Sequence, residues 1–176
     1  QAEDGIRDRS PSRGLGDVSK RQTMELATDE EKMYMEEALK EAALAALEGE
    51  IPVGAILVQD GRVIARNHNR RERAHDATAH AEILVIREAC EKLRRWRLAD
   101  STLYVTMEPC PMCAGAIYNA RIGRVVFGAS DSVAGACGSL FQIPLHPSLH
   151  ANTIIKAGIE AERCKKILQE FFTRRR

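Results

Sequence analysis

Apolar residues follow two kinds of spacing along the chain, and each kind predicts a different element. Between Met35 and Ala46 they recur every three or four positions, which predicts a helix. Thr28 and Glu31 form a capping box ahead of this stretch, so we expect the helix to begin there. The uninterrupted apolar run Val53–Val58 predicts a buried strand instead.

A turn signal and further patterned segments extend this prediction to the rest of the chain. Asp60-Gly61 favours a tight hairpin, which makes a strand at Val63–Asn67 antiparallel to the strand before it. The polar stretch Asn69–Thr78 predicts a loop. Later strands are expected at Leu103–Thr106, Arg124–Phe127 and Asn152–Ile155, and later helices at Ala79–Leu93, from Cys110 onward and at Glu160–Phe172. This order predicts an α/β fold, a mixed sheet with helices on its faces.

The first residues of the chain differ from all that follow. Residues 1–23 have almost no apolar periodicity and are rich in Arg, Asp, Ser and Gly, so we expect them to be disordered. Their composition also resembles a non-native extension, with the native start near Met24; the alternative is a natural basic tail that binds RNA. We expect residues 24–176 to form a single domain.

Composition excludes some classes of protein and leaves others open. The 176 residues include 26 Lys and Arg against 25 Asp and Glu, so no overall charge indicates a partner. Basic residues do cluster at Arg70–Arg73 and at Arg174–Arg176, where they either contact RNA or are simply solvated. We expect no signal peptide and no membrane span. Five cysteines without a disulfide framework favour a reducing compartment, and we expect a cytoplasmic protein.

Candidate chemistry lies at two predicted helix starts. His80 and Glu82 come at the first, and Cys110 and Cys113 come at the second. The sulfurs of Cys110 and Cys113 can converge, and a helix N-terminus favours thiolates. One imidazole and two thiolates make a three-ligand zinc site, which leaves the fourth position for water, as in catalytic zinc sites. Glu82 beside them is a candidate for proton transfer.

The same motifs carry a family resemblance. H-A-E at 80–82 followed by P-C-x-x-C at 109–113 resembles the signature of the zinc nucleoside and nucleobase deaminases. Within that superfamily the chain resembles the bacterial tRNA-specific adenosine deaminases (TadA type). The similar segments are IPVGAI at 51–56, HN at 68–69, DATAHAEI at 76–83, WRL at 96–98, TLYVTMEPCPMCAGAI at 102–117 and RVVFGASD at 124–131. They extend over most of the chain from Met24 onward.

The resemblance implies a three-layer α/β/α cytidine-deaminase-like fold, a homodimer and the conversion of adenosine to inosine at the wobble position of a tRNA anticodon. It implies one Zn²⁺ per chain and the tRNA anticodon stem-loop as partner. It also implies site roles for residues of this chain: zinc ligands at His80, Cys110 and Cys113, the proton shuttle at Glu82, a base contact at Asn69, a pocket wall at Ile51, Pro52 and Val53, and a position near the nucleotide backbone at Asp131.

Several alternatives remain open from the sequence. The segments PCPMC and AIYNARI also resemble guanine deaminases, so a free nucleobase is a second candidate substrate. A lone C-x-x-C is often a thioredoxin-like redox pair, and His146 with His150 would complete a zinc-finger order at an unusually long spacing. A catalytically inert RNA-binding subunit of the same fold is the non-enzyme alternative. Phe171 and Phe172 are expected to serve packing rather than base stacking.

Overall fold

A mixed five-stranded sheet forms the centre of the structure, a computed structural model that describes residues 26–149 and 152–175. The strands are β1 (Gly54–Gln59), β2 (Arg62–His68), β3 (Ser101–Met107), β4 (Arg124–Ala129) and β5 (Ile154–Ala157). Their order across the sheet is β2-β1-β3-β4-β5. β1 runs antiparallel to β2 and β3, whereas β3, β4 and β5 are parallel. The prediction of a mixed sheet is confirmed, and the predicted extension at 1–23 lies outside the described residues.

Five helices accompany the sheet in the described part of the chain. They are α1 (Asp29–Leu47), α2 (Arg71–Ala74), α3 (Ala81–Leu93), α4 (Pro111–Asn119) and α5 (Ala161–Arg174). The capping box at the start of α1 is present: Glu31 N donates to Thr28 Oγ1 over 3.1 Å, and Thr28 N donates to Glu31 Oε2 over 2.9 Å. Two short 3-10 turns, Ile143–Leu145 and Pro147–Leu149, lie between β4 and β5.

The short helix α2 is an α-helix that the sequence pattern did not predict. It lies inside the stretch Asn69–Thr78, which we expected to be a loop. Four residues are too few to show a helical period. A tertiary contact supports the helix instead: the buried Glu50 carboxylate accepts from the backbone N–H groups of Glu72 (3.3 Å) and Arg73 (2.8 Å).

Side chains alternate between the two faces of the sheet, and each face buries its own apolar cluster. One cluster contains Leu57, Leu103 and Val125 from the sheet and packs against α3 and α4. The other contains Ile56 and Tyr104 and packs against α1 and α5. Two helical layers therefore enclose the sheet, which confirms the three-layer α/β/α fold.

One glycine allows α1 to pack closely on β1. A Cβ atom at Gly54 would lie 2.1 Å from the carbonyl oxygen of Ala38 and 2.4 Å from the backbone nitrogen of Ala42. No non-glycine residue fits there without moving the helix away from the strand. Among the described residues, no helix combines the length and the apolar character needed to cross a bilayer.

Candidate active site

Three ligand-type side chains meet where α3 and α4 begin. His80 is the N-cap residue of α3, and Cys110 is the N-cap residue of α4. Pro111 occupies the first turn of α4, where its missing N–H costs no helical hydrogen bond. His80 Nδ1 lies 3.6 Å from Cys110 Sγ and 3.5 Å from Cys113 Sγ. These three residues form the one group in the described chain whose His, Cys, Asp or Glu atoms are close enough to hold a metal ion together.

The spacing of these atoms fits a tetrahedral zinc site. Zinc binds thiolate sulfur at about 2.3 Å and imidazole nitrogen at about 2.0–2.1 Å, so a tetrahedral angle separates the sulfur and the nitrogen by about 3.6 Å. Both sulfur-to-nitrogen distances agree with that value. Thiolate and imidazole are also ligands that favour zinc over the harder divalent cations. The donor set and its geometry therefore fit Zn²⁺.

The pKa values of the Cys110 and Cys113 thiols shift in opposite directions. A hydrogen bond from Cys113, assisted by one from His80, lowers the pKa of Cys110 to about 4 despite the opposing effect of burial. The same hydrogen bond, burial and the nearby Glu82 charge all raise the pKa of Cys113. The lowered pKa favours the thiolate form of Cys110, which is the form that ligates a metal.

Glu82 lies one residue inside α3, beside the cluster but outside it. Its side chain is buried, and burial raises the pKa of its carboxyl group above the ordinary value. A carboxyl group with a raised pKa exchanges a proton more readily near neutral pH. The geometry therefore sets the Glu82 carboxyl group apart from the three ligand-type groups of the cluster.

A cavity of about 260 Å³ opens over the cluster. Its walls come from the segment before β1, the β2–α3 loop, the corner between β3 and α4, the loop after β4, and α5. The lining residues are Ile51, Val53, Asn69, Arg71, His80, Glu82, Met107, Glu108, Cys110, Asp131, Ala134, Leu168 and Phe172. The structure therefore brings together Asn69, Ile51, Val53 and Asp131 as the sequence predicted. Pro52 and Cys113 are buried behind the lining.

Asn69 connects two walls of the cavity. Its backbone N–H donates to the Val53 carbonyl over 3.1 Å, and its side-chain Oδ1 accepts from the Ala81 N–H over 2.9 Å. With the oxygen committed to the first turn of α3, the side-chain NH₂ group remains for a ligand. A donor aimed into a cavity can recognise a ring nitrogen or a carbonyl of a bound base.

Asp131 lies near the start of the loop after β4, which forms another wall of the cavity. Its Oδ1 accepts from the N–H groups of Val133 (2.9 Å) and Ala134 (3.2 Å). Its own N–H donates to Glu108 Oε2 over 3.0 Å. Asp131 is half-buried, and its carboxylate organises the loop as well as lining the cavity.

Some lining residues were not predicted as site residues. Glu108 precedes the P-C-x-x-C motif, but the sequence pattern indicated only that a strand ends there. Leu168 and Phe172 come from α5, and nothing local to α5 indicates that it reaches the cavity. Phe171 is buried, which fits its predicted packing role, but Phe172 is half exposed at the cavity. Of the terminal arginines, Arg175 donates to the Gly49 carbonyl and stacks on Phe171, and Arg176 lies outside the described residues.

The structure also tests the zinc-finger alternative for Cys110 and Cys113. All five cysteines lie in the described residues and none forms a disulfide. His146 is exposed and is not part of the Cys110–Cys113 cluster, and His150 lies outside the described residues. A zinc-finger pairing of His146 with these cysteines is therefore excluded.

Fold and site together define a member of the deaminase class, and comparison with known families agrees. Residues 29–176 match the model of the MafB19-like deaminase family. The tRNA-specific adenosine deaminase of Bacillus subtilis is 47% identical over 143 residues, covering 81% of this chain and 89% of that protein. The enzyme of the same name from Streptococcus pyogenes serotype M18 is 44% identical, covering 85% of this chain and 94% of that protein. The chain belongs to the family of tRNA-specific adenosine deaminases.

A plant relative and two solved structures extend the comparison. The chloroplastic tRNA(adenine(34)) deaminase of Arabidopsis thaliana is 45% identical over 81% of this chain, which spans only 12% of that protein. A structure from a study of A-to-I editing by tRNA:A34 deaminases is 48% identical, with a TM-score of 0.75, covering 77% of this chain and 99% of that one. Guanine deaminase from Bacillus subtilis is 40% identical, with a TM-score of 0.56, covering 61% of this chain and 69% of that one.

Proposed function

We propose that this protein hydrolyses adenosine to inosine at the wobble position of a tRNA anticodon. The observation that carries the proposal is the meeting of His80, Cys110, Cys113 and Glu82 at one cavity, in a chain that is 44–47% identical to bacterial tRNA-specific adenosine deaminases. The similarity to these relatives indicates the substrate, and the side chains at the cavity indicate how it is hydrolysed.

We propose that His80, Cys110 and Cys113 hold one Zn²⁺ per chain. The 3.5 and 3.6 Å distances from the imidazole nitrogen to the two sulfurs support this assignment. Zinc bound by three protein ligands supplies Lewis-acid activation of water at neutral pH.

Glu82 is proposed to move the protons of the reaction. A water oxygen forms a bond to C6 of the adenine ring, and the bond from C6 to the exocyclic nitrogen breaks. Glu82 accepts a proton from the attacking water and delivers it to the leaving nitrogen, which departs as ammonia. Burial makes the Glu82 carboxylate a stronger base, which favours the first step, and a pKa nearer neutral pH lets the same group release the proton in the second.

The remaining site residues are proposed to hold the substrate. Asn69 contacts the flipped base through its free NH₂ group, and Ile51, Pro52 and Val53 form the wall beside it. Asp131, in the loop after β4 that lines the cavity, lies near the nucleotide backbone. A cavity of about 260 Å³ holds one base but not the nucleotides beside it, so the anticodon stem-loop must lie across the surface around its mouth.

The assembly and the setting of the enzyme follow the same reasoning. We propose that residues 24–176 act as a single zinc-dependent domain, since the family match runs from 29 to 176. We propose a homodimer formed through α4, and a cytoplasmic location in keeping with five cysteines free of disulfides. The tRNA anticodon stem-loop is the proposed partner.

One experiment separates this function from the second candidate. Guanine deaminase is that candidate because a guanine deaminase is 40% identical over 61% of this chain. The purified protein is incubated with an anticodon stem-loop and, separately, with free guanine. We expect inosine at the wobble position and no xanthine. Guanine turnover without inosine would replace the proposed function with the second candidate, and the absence of zinc in an active protein would refute the metal assignment.

A further inference from the structure

Glu108 is a buried carboxylate that faces four donors from one loop. The exposed fraction of Glu108 is 3%. Its Oε2 accepts from the Asp131 N–H over 3.0 Å, and its Oε1 accepts from the N–H groups of Cys137 (3.1 Å) and Ser139 (2.9 Å). The Ser139 hydroxyl donates to Oε2 as well. We refer to Glu108 with residues 131–139 as the carboxylate clamp.

A glycine in the loop makes this close approach possible. A Cβ atom at Gly135 would lie 2.5 Å from Glu108 Oε2 and 2.3 Å from the Asp131 carbonyl oxygen. The neighbouring Ala136 N–H donates to the Pro109 carbonyl over 2.8 Å. The loop is therefore attached to the two residues that immediately precede Cys110.

The chemistry of the clamp requires a carboxylate. An ionised carboxylate only accepts hydrogen bonds, and its two oxygens offer about four lone-pair directions. Three N–H groups and one hydroxyl fill them. A glutamine side chain has the same shape, but its NH₂ group would face donors and leave at least one buried N–H without an acceptor.

The clamp holds a wall of the cavity. Asp131 and Ala134, which line the cavity, belong to the clamped loop, and Glu108 itself lines the cavity beside Cys110. We propose that Glu108 is a positioning residue that sets the distance between this wall and the metal-ligand corner, and thereby sets how tightly the substrate nucleotide is held. This inference rests on the proposed function, because it assigns the wall to substrate recognition.

The test compares three variants that loosen the clamp in different ways. Glu108→Gln removes the acceptor, Gly135→Ala pushes the loop away and keeps the carboxylate, and Ser139→Ala removes only the hydroxyl contact. For the first two we expect KM for the anticodon stem-loop to rise about tenfold, since one buried charged hydrogen bond is worth at least that factor. We expect kcat within about twofold of wild type and full zinc content, with a smaller rise in KM for Ser139→Ala.

Hydrogen exchange gives a readout that does not depend on the substrate. The amides of Asp131, Cys137 and Ser139 should exchange faster in Glu108→Gln than in wild type, with no change in α1. Glu31→Gln is the matched control: Glu31 is equally buried and also accepts several hydrogen bonds, but it does not line the cavity. Although Glu31→Gln lowers overall stability, it should leave KM unchanged and should not speed the exchange of the Asp131, Cys137 and Ser139 amides relative to the other amides of the protein.

The outcomes separate the clamp from the proposed function. Failure of the wild-type protein to convert the stem-loop refutes the proposed function. Hydrogen exchange of the loop amides then tests by itself whether Glu108 holds the loop in place. Unchanged KM and unchanged loop exchange in both Glu108→Gln and Gly135→Ala overturn the inference. Loss of zinc, or a fall in kcat without a rise in KM, also overturns it, because Glu108 would then support the metal ligands rather than the substrate wall.

Discussion

Glu82 shows how the position of one residue at the start of a helix defines its chemistry. It follows the N-cap residue His80 by two positions, so both side chains emerge before the helical turn separates them. The imidazole can then ligate a metal while the carboxylate stays beside it. Burial raises the pKa of Glu82 and suits it to carry a proton.

The first prediction concerns this carboxylate. Glu82→Gln should lower the rate of stem-loop deamination by about 10²–10⁴-fold, the usual contribution of general acid–base catalysis, because an amide cannot relay the proton. Zinc content and the circular dichroism spectrum should match those of wild type. Glu91→Gln, an exposed substitution on the same helix, is the control and should retain full activity. A Glu82→Gln enzyme with near wild-type rate would remove Glu82 from the mechanism.

At the scale of elements, α2 connects the cavity mouth to the end of α1. Arg71 on α2 lines the cavity, and Arg73 pairs with Glu48 over 2.9 Å. Glu48 also contacts His68 Nε2 at 3.3 Å, and the other nitrogen of His68 lies 2.8 Å from Glu41. Arg71 is therefore available to a ligand at the cavity, whereas Arg73 is paired with Glu48.

The second prediction follows from that difference. Arg71→Ala should weaken anticodon stem-loop binding, and the slope of log affinity against log salt should flatten by about 0.7, the value for one phosphate contact on a single strand. Arg73→Ala should change the slope less, because Glu48 already neutralises its charge. Fluorescence anisotropy at several salt concentrations measures both slopes. Equal slopes for Arg71→Ala and wild type would exclude a phosphate contact at Arg71.

At the scale of the whole molecule, one largely buried ion cluster joins α1, the first helix, to the neighbouring strands β4 and β5. Glu31 on α1 pairs with Lys156 on β5 over 2.8 Å and with Arg124 on β4. Burial alone would raise the pKa of Glu31, but hydrogen bonds from Lys156, the Thr28 backbone and Arg124 outweigh it and lower the pKa below 4.5. Lys156 is almost fully buried, so it depends on Glu31 for its counter-charge.

The third prediction concerns the pH dependence of stability. Glu31→Gln should lower the free energy of unfolding by about 3–5 kcal/mol at neutral pH, because it leaves the buried Lys156 charge without a carboxylate. A lowered folded-state pKa stabilises the protein above the unfolded-state value and loses that effect as pH falls. The difference between wild type and Glu31→Gln should therefore be complete above about pH 4.5 and shrink below it. Urea unfolding at several pH values measures it, and a pH-independent difference would contradict the ionic role.

The fourth prediction concerns assembly. Met112, Ala116 and Tyr118 on α4 are half-buried in the single chain, and their apolar surface is what a second copy would cover. The protein should be a dimer by light scattering at micromolar concentration, and Tyr118→Glu should make it a monomer. Gln169→Glu on the exposed side of α5 is the control and should remain dimeric. A monomeric wild-type protein would refute assembly through α4.

Local patterns in the sequence determined most of the fold and the members of the His80, Cys110 and Cys113 cluster. The ends of the predicted strands and helices lie within two residues of those in the structure, because apolar periodicity, the capping box at Thr28 and the Asp60-Gly61 turn act over a few neighbouring residues. His80, Cys110 and Cys113 were predicted as partners because each stands at the start of a helix that follows a strand or loop. Their convergence at 3.5 and 3.6 Å agrees with that prediction.

Only the tertiary structure decided which distant residues complete the cavity. Leu168 and Phe172 reach it because α5 packs beside the sheet, and Glu108 acts there because a loop more than twenty residues later folds back onto it. Helix α2 exists through its contact with Glu50, not through a helical period of its own. These features depend on hydrogen bonds and packing between residues far apart in sequence, and no local pattern encodes such partners.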